Sequence, residues 1–222
     1  MPPGRLLRIQ VTGRARAGKT TVRNALSLLS AEETAPIDEP GQPDPILDAD
    51  LVLYILAGSL RPADRRALAT VPSERALVLL NKADTIGTRW SDAATAAESH
   101  SAALGLPVYP IVAALATRTR AGTLTDADMR TLRRHRHRTD PACTLAPDLF
   151  TTPAAGTDVA NRQLLLARWA LHGVACALAA LHHDPALSPC SLLQILHSAS
   201  GIDPVHHELH RRHELTSAPC RS

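Results

Sequence analysis

Residues 13–20 of this 222-residue chain read GRARAGKT, a full match to the phosphate-binding pattern G-x-x-x-x-G-K-[ST]. Glycines allow consecutive backbone N–H groups to turn inward around a phosphate, and the pattern requires a strand before the loop and a helix after it. Residues 6–11 predict that strand and residues 21–29 that helix. In this context Lys19 reaches the β- and γ-phosphates of a nucleotide, and the Thr20 hydroxyl binds Mg²⁺. The alternative is a glycine-bearing turn without a ligand, because so short a pattern also occurs by chance.

A second polar motif, Asn81-Lys82-Ala83-Asp84, directly follows a continuous apolar run at residues 76–80. Such a run is typical of a strand buried on both faces of a parallel sheet. A carboxylate such as that of Asp84 accepts two hydrogen bonds from the N1–H and 2-amino groups of guanine, a pair that adenine does not offer. Taken alone, the motif is more simply interpreted as a polar turn after a strand. Behind a phosphate-binding loop and a strand, the motif resembles the guanine-recognition motif N-K-x-D of GTPases, and this resemblance implies a guanine nucleotide with Asp84 as the residue that recognises the base.

Together the two motifs resemble those of the translation-factor-related GTPases, the class of Era-like and Ras-like G domains. The resemblance covers about the first half of the chain, and it implies GTP or GDP as ligand and Mg²⁺ as cofactor. It also implies that Asn81 braces the loop and that the Lys82 stem lies along the base. The nucleotide-binding residues implied in this way are Gly13, Arg14, Ala15, Arg16, Ala17, Gly18, Lys19, Thr20, Thr21, Asn81, Lys82, Asp84, Ala113 and Ala114.

Weaker elements of the same family follow in the expected order. Asp38 and Gly41 fit D-x-x-G, in which the carboxylate reaches Mg²⁺ through water and the glycine N–H senses the γ-phosphate. Gln42 corresponds to the glutamine that orients the attacking water in Ras-like members. The resemblance therefore implies switch roles for Asp38 and Gly41, a metal site at Thr20 and Asp38, and catalytic roles for Gln42 and Lys19. At residue 113 an alanine replaces the serine of the family's serine-alanine pair.

The interval between the loop and Asp38 is the main departure from the family. Residues 20–37 are too few for a helix, a complete switch I and the antiparallel edge strand of a full G domain, and Thr34 is the only threonine left for the switch. We therefore expect the edge strand to be absent and hydrolysis to be slow, because water exclusion and charge stabilisation both suffer. Arg14 and Arg16 are interpreted as facing solvent, with stabilisation of phosphate charge as the alternative.

Two functions follow from these patterns. The first is a GTP-binding protein, a slow GTPase that acts as a regulatory switch and reports to a protein partner through its C-terminal helices. The second is a non-hydrolysing G-like scaffold whose nucleotide is structural. An ATP-dependent kinase is disfavoured because the motif at residues 81–84 would have no role in it.

The predicted fold class is α/β, a P-loop NTPase-type parallel sheet, as in a reduced G domain, followed by an α-helical C-terminal region. Its strands are predicted at residues 7–11, 51–56, 76–80 and 108–112. The predicted regions are a G-like nucleotide-binding domain at 1–117, a basic helix at 118–138, a linker at 139–158 and a helical region with a histidine-rich tail at 159–222.

The C-terminal half contains three further features with alternative interpretations. The basic run at residues 133–138 is interpreted as a solvated helix end, with a patch for anionic lipid or an acidic partner as the alternative. The apolar segment 159–182, which Asp158 would cap, contains Arg168 and His172; it is interpreted as a buried or partner-binding helix, with peripheral membrane contact as a second option. The tail is interpreted as a solvated basic segment, with a metal site as the alternative; its candidate ligands are His206, His207, His210, His213 and Glu214.

Composition predicts a cytoplasmic chain with an aliphatic core. The net charge of +3 is too mild to favour nucleic acid as a partner. The N-terminus lacks the apolar stretch of a secretory signal. The four cysteines, which form no C-x-x-C pair, predict free thiols in a reducing compartment; they are Cys143, Cys176, Cys190 and Cys220.

Overall fold

A five-stranded parallel sheet forms the centre of the first half of the chain in the computed structural model, which describes residues 7–137, 147–153 and 157–217. The strand order is β2-β1-β3-β4-β5, and every neighbouring pair is parallel. The strands are β1 (Ile9–Gly13), β2 (Glu32–Glu33), β3 (Leu51–Ala57), β4 (Ala76–Asn81) and β5 (Val108–Ile111). The α/β class and the four predicted strand segments are confirmed.

Strands β3 and β4 supply most of the buried apolar side chains of the sheet. All six residues of β4 and the first six of β3 are buried, as expected for strands covered on both faces. The helices that connect the strands are α1 (Lys19–Ala25), α2 (Pro62–Ala69) and α3 (Trp90–Leu104), and a 3-10 turn spans Ala83–Thr85. The carboxyl ends of β1 and β4 lead directly into the two motifs, so the sheet brings the motifs to the same edge.

Strand β2 is short because the segment at residues 32–37 contains few residues that favour extended structure. It pairs with β1 through Gln10–Glu32 and Val11–Glu33, and the chain then continues beside β1 until the Ile37 N–H donates to the Gly13 carbonyl over 3.2 Å. Among the described residues the sheet contains no antiparallel strand. This agrees with the prediction that the short interval before Asp38 leaves no room for one.

The chain divides into two compact units, Met1–Ala113 with Gly201–Ser222, and Ala114–Ser200. The last helix, α9 (Ile202–Ser217), therefore groups with the sheet, although the sequence pattern placed it with the preceding helices. The second unit is helical, as predicted; its helices are α4 (Ala113–Ala121), α5 (Asp126–His135), α6 (Pro147–Thr151), α7 (Val159–His183) and α8 (Pro189–Ala199). The predicted region boundaries at residues 117, 138 and 158 remain predictions.

Helix α6 is a short element within the predicted linker, which remains a prediction. It lies inside residues 139–158 and packs against α7, with the Phe150 side chain buried. A single aromatic residue in a polar segment gives little periodicity, so the sequence pattern did not show this helix. Residues 139–146 and 154–156 of the predicted linker lie outside the described residues.

The Asp158 carboxylate forms hydrogen bonds with basic side chains and does not cap α7. It accepts hydrogen bonds from Arg162 and His135 over 3.1 Å and from Arg134 over 3.3 Å. Arg162 is completely buried and needs an opposite charge, so the carboxylate serves the ion pair rather than the helix N–H groups. Two residues of the predicted basic run, Arg134 and His135, thus contact Asp158 within the second unit, while Arg138 lies outside the described residues.

Within the described ranges, α7 is the one helix that is long and apolar enough to cross a membrane. This is weak evidence for a membrane span, because the core helices of soluble proteins have the same length and composition. The helical geometry of α7 is interrupted at Ala170, where φ is 56°. The side chains of Leu165, Trp169 and Leu181 are buried, so α7 forms the core of its own unit.

Candidate nucleotide-binding site

The loop between β1 and α1 has the backbone that its two pattern glycines permit. Gly13 has a φ of +143°, and a Cβ atom there would lie 2.4 Å from the Ile55 carbonyl oxygen. Gly18 has a φ of +93°, and a Cβ atom there would lie 2.4 Å from the Asn81 side-chain nitrogen. Side chains are therefore excluded at both positions by conformation and by space.

Lys19 begins α1 and folds back over the loop. Its side chain is 8% exposed, and its ammonium group donates a hydrogen bond to the Gly13 carbonyl over 3.2 Å. Burial lowers the pKa of Lys19, and the negative charges of Glu33 and Glu39 partly offset this effect. The ammonium group is thus held at the mouth of the loop with both carboxylates within electrostatic range.

Asn81, at the end of β4, connects the loop to a third segment. Its side-chain N–H donates to the Ala17 carbonyl over 3.0 Å, and its side-chain oxygen accepts from the Ala113 N–H over 3.2 Å. Asn81 is 3% exposed, so both of these bonds are shielded from water. One amide therefore connects the glycine loop to the segment after β5.

Lys82 and Asp84 follow in the turn beyond Asn81. Lys82 has a φ of 60°, and its ammonium group donates to the Arg16 carbonyl over 2.8 Å. Asp84 lies in the 3-10 turn and is exposed; within the described residues its carboxylate has no hydrogen bond or ion pair. The motif residue that would recognise guanine is therefore open to a ligand.

Arg14 does not face solvent, in contrast to the interpretation from the sequence. Its Nε atom donates to the carboxylate of Asp64 over 3.1 Å, and its Nη2 atom donates to the Ala57 and Ser59 carbonyls over 3.2 Å. The buried Asp64 requires a cation, and this requirement directs Arg14 toward α2. Arg16, with a φ of 61°, is exposed as predicted.

Thr20 meets a carboxylate that the sequence pattern did not single out. Its hydroxyl donates a bifurcated hydrogen bond to Glu33, with distances of 2.9 and 2.8 Å to the two oxygens. The pairing of β2 with β1 creates this contact, and no local pattern around Glu33 indicates it. Among the other predicted loop residues, Ala15 is exposed, Thr21 is half-buried and Ala17 is buried.

The segment around Asp38, which was predicted to act as a switch, makes its contacts with Arg66 and Asp44. The Asp38 carboxylate lies 3.4 Å from the Arg66 guanidinium, and the Asp38 N–H donates to Asp44 over 2.8 Å. Gln42 is exposed, and its backbone N–H donates to the Glu39 carbonyl over 3.1 Å. Gly41 has a φ of 77° in the same turn. These contacts do not bring Asp38 to Thr20.

The Thr34 side chain makes its hydrogen bonds beside the sheet. Its hydroxyl lies 2.8 Å from the Thr12 hydroxyl and 2.9 Å from the Ala35 carbonyl oxygen. Ala113 is buried, while Ala114 is exposed and is the first residue of the second unit.

The histidine tail lies on α9. His206 and His210 line an apolar cavity with Ile9 and Leu51, and His207 donates to the Asp203 carbonyl over 2.9 Å. The metal site in this tail remains a prediction, and the His213 side chain lies outside the described residues.

The described cysteines are Cys176 and Cys190, and both are free, as predicted. Burial raises the pKa of the Cys176 thiol to about 11, which disfavours the reactive thiolate. Cys143 and Cys220 lie outside the described residues.

No protein-family model matches the chain, and no curated protein matches it either.

Proposed function

We propose that this chain is a guanine-nucleotide-binding protein that binds GTP or GDP with Mg²⁺, as a P-loop domain similar to a reduced G domain. The observation that carries the proposal is the meeting of the two motifs. Asn81 donates to the Ala17 carbonyl, and Lys82 donates to the Arg16 carbonyl, over 3.0 and 2.8 Å. A polar turn after a strand does not require contacts with a glycine loop 60 or more positions earlier in the chain. A nucleotide site requires them, because both motifs must contact the same ligand.

In this proposal the loop binds the phosphates and the exposed Asp84 recognises the base. Lys19 supplies a positive charge that is already positioned at the loop. Thr20 and Glu33 offer a hydroxyl and a carboxylate, the oxygen ligands that Mg²⁺ prefers, so the residues present fit this ion. When bound, the ion would neutralise phosphate charge.

The activity that this site supports best is slow hydrolysis within a regulatory switch. Among the described residues, the interval from α1 to Asp38 contains only the two-residue strand β2 and its connections. G domains with every element hydrolyse GTP at only about 10⁻⁴ s⁻¹ unaided, so we expect no faster rate here. GTP would order the turn containing Gln42, and a protein partner would recognise the helices. A cytoplasmic location and peripheral membrane contact remain predictions.

A non-hydrolysing scaffold with a structural nucleotide is the second candidate. The contact between Thr34 and Thr12 favours it, because the one threonine available for a switch is occupied within the sheet. Single-turnover hydrolysis of GTP by the wild type and by Gln42→Leu separates the two candidates. A slow rate that the substitution lowers further supports the switch, and a rate equal to that of free GTP supports the scaffold.

Titration with fluorescent GDP, GTP and ATP in the presence of Mg²⁺ tests binding itself. Two hydrogen bonds to a carboxylate, at about 1.5–3 kcal/mol each, give a preference for guanine of roughly two to four orders of magnitude. Asp84→Asn should lose affinity for GDP and gain affinity for xanthosine diphosphate. The control is Asp126→Asn, an exposed carboxylate on α5, which should change neither affinity. Equal affinity of the wild type for ATP and GTP would contradict the proposal.

A further inference from the structure

Glu33 is held beside the phosphate-binding loop by the sheet. Its backbone pairs with Val11 of β1, and the preceding pair is Gln10 with Glu32. Because side chains alternate along a strand, the two glutamates leave β2 on opposite faces. Glu32 lies 3.4 Å from the Gln10 side-chain nitrogen, and Glu33 reaches the Thr20 hydroxyl. The register of β2 thus selects which glutamate meets the loop.

Two acidic residues compete for the role of the carboxylate that binds magnesium. The D-x-x-G pattern selects Asp38, but its carboxylate is directed to Arg66 on α2. Glu33 already contacts the hydroxyl of the loop threonine with both oxygens. A hydroxyl and a carboxylate that share a hydrogen bond lie close enough together to bind one small cation, since Mg²⁺ ligand distances are about 2.0–2.1 Å.

We propose that Glu33, rather than Asp38, supplies the protein carboxylate of the magnesium site, with Thr20 as its hydroxyl partner. This inference rests on the proposed nucleotide binding and deepens it. Without Mg²⁺, the Glu33 carboxylate faces the phosphates and repels them. With Mg²⁺, the same carboxylate would hold the cation together with the Thr20 hydroxyl. Glu33 therefore makes nucleotide binding dependent on magnesium.

From the same geometry we expect Glu33 to have two opposite effects on nucleotide binding. Glu33 lies within electrostatic range of Lys19, whose ammonium group is the loop's cation. In the free protein the carboxylate offsets part of that positive charge and weakens the attraction for phosphate. Removal of the charge by Glu33→Gln should strengthen metal-free binding while it weakens the metal site.

The test uses the full chain and fluorescent GDP. Its dissociation rate and Kd are measured in MgCl₂ and in EDTA for the wild type, Glu33→Gln, Asp38→Asn and Glu32→Gln. The amide of Glu33→Gln keeps a hydrogen-bond acceptor for Thr20, and urea denaturation checks that each variant is folded. Glu32→Gln is the matched control, because it removes the neighbouring carboxylate on the other face of β2.

We expect the apparent affinity of the nucleotide complex for Mg²⁺ to fall by about 10- to 100-fold in Glu33→Gln, the range found when groups that support a metal site are removed. Its affinity for GDP in EDTA should exceed that of the wild type, because the repelling charge is gone. Glu32→Gln should match the wild type, and Asp38→Asn should lose less than Glu33→Gln.

Two different results would overturn the inference. If Asp38→Asn loses the magnesium dependence and Glu33→Gln keeps it, the assignment of Glu33 is wrong while guanine-nucleotide binding stands. If the wild type binds no guanine nucleotide at any magnesium concentration, the proposed function and this inference are both wrong.

Discussion

Replacement of Arg14 by alanine should destabilise the sheet unit far more than the same replacement at Arg16. The Asp64 carboxylate is completely buried and accepts three hydrogen bonds, from Arg14 over 3.1 Å, from the Tyr54 hydroxyl over 2.9 Å and from the Arg61 N–H over 2.8 Å. Burial, followed by the Asp64 charge, raises the pKa of Tyr54, so Tyr54 remains a neutral donor. Arg14 is thus the cation that balances a buried charge.

The magnitude follows from burial. Breaking a buried ion pair by removing one partner costs about 3–5 kcal/mol. The Arg14 side chain is 20% exposed and Asp64 keeps two donors, so we expect the free energy of unfolding to fall by about 2–3 kcal/mol. For a chain of this size each kcal/mol lowers Tm by about 2–4 °C, which gives a decrease of roughly 4–12 °C.

Thermal unfolding followed by circular dichroism measures this effect. Arg16→Ala is the matched control, because Arg16 lies in the same loop with an exposed side chain, and it should change stability by no more than about 0.5 kcal/mol. Equal shifts for the two variants would refute the reasoning. A stable Arg14→Ala variant that loses nucleotide affinity would also refute it, because Arg14 would then serve the phosphate and not Asp64.

Two further predictions concern helices. Hydrogen bonds from Arg211 and then Arg212 hold the pKa of Glu208 at about 2, below its ordinary value of 4.5. The resulting stabilisation is present above pH 4.5 and is lost as the pH falls toward 2. Because partly exposed pairs contribute about 1 kcal/mol, Glu208→Gln should lower the midpoint of urea denaturation at pH 7. Between pH 5 and pH 3 the stability of this variant should change less than that of the wild type. Thr125 caps α5 by accepting from the Asp128 N–H over 3.1 Å, so Thr125→Ala should cost about 1 kcal/mol in urea denaturation, while Thr125→Ser should keep most of that stability.

Several features were predictable because their signals lie within a few neighbouring residues. The apolar runs of β3 and β4 are long enough to indicate strands that are buried on both faces. The capping pair of Thr125 and Asp128 marks the start of α5, and Pro189 marks the start of α8. The two motifs were also visible, and the order of parallel strands brings them to one edge.

Other features depended on partners that are distant in the chain. Glu33 reaches Thr20 only because β2 pairs with β1 in one register, and a shift of one residue would present Glu32 instead. Arg14 contacts α2 because a carboxylate 50 residues later is buried beside it.

The sequence by itself determined the parallel α/β sheet and the positions of the glycine loop and of the motif at residues 81–84, for which guanine recognition is proposed. The tertiary structure alone decided which charged side chains lie at that loop. Local propensity acts over a few residues, so it shows where strands and turns occur. The partner of a buried charge is set by strand order and burial, and these exist only once the chain has folded.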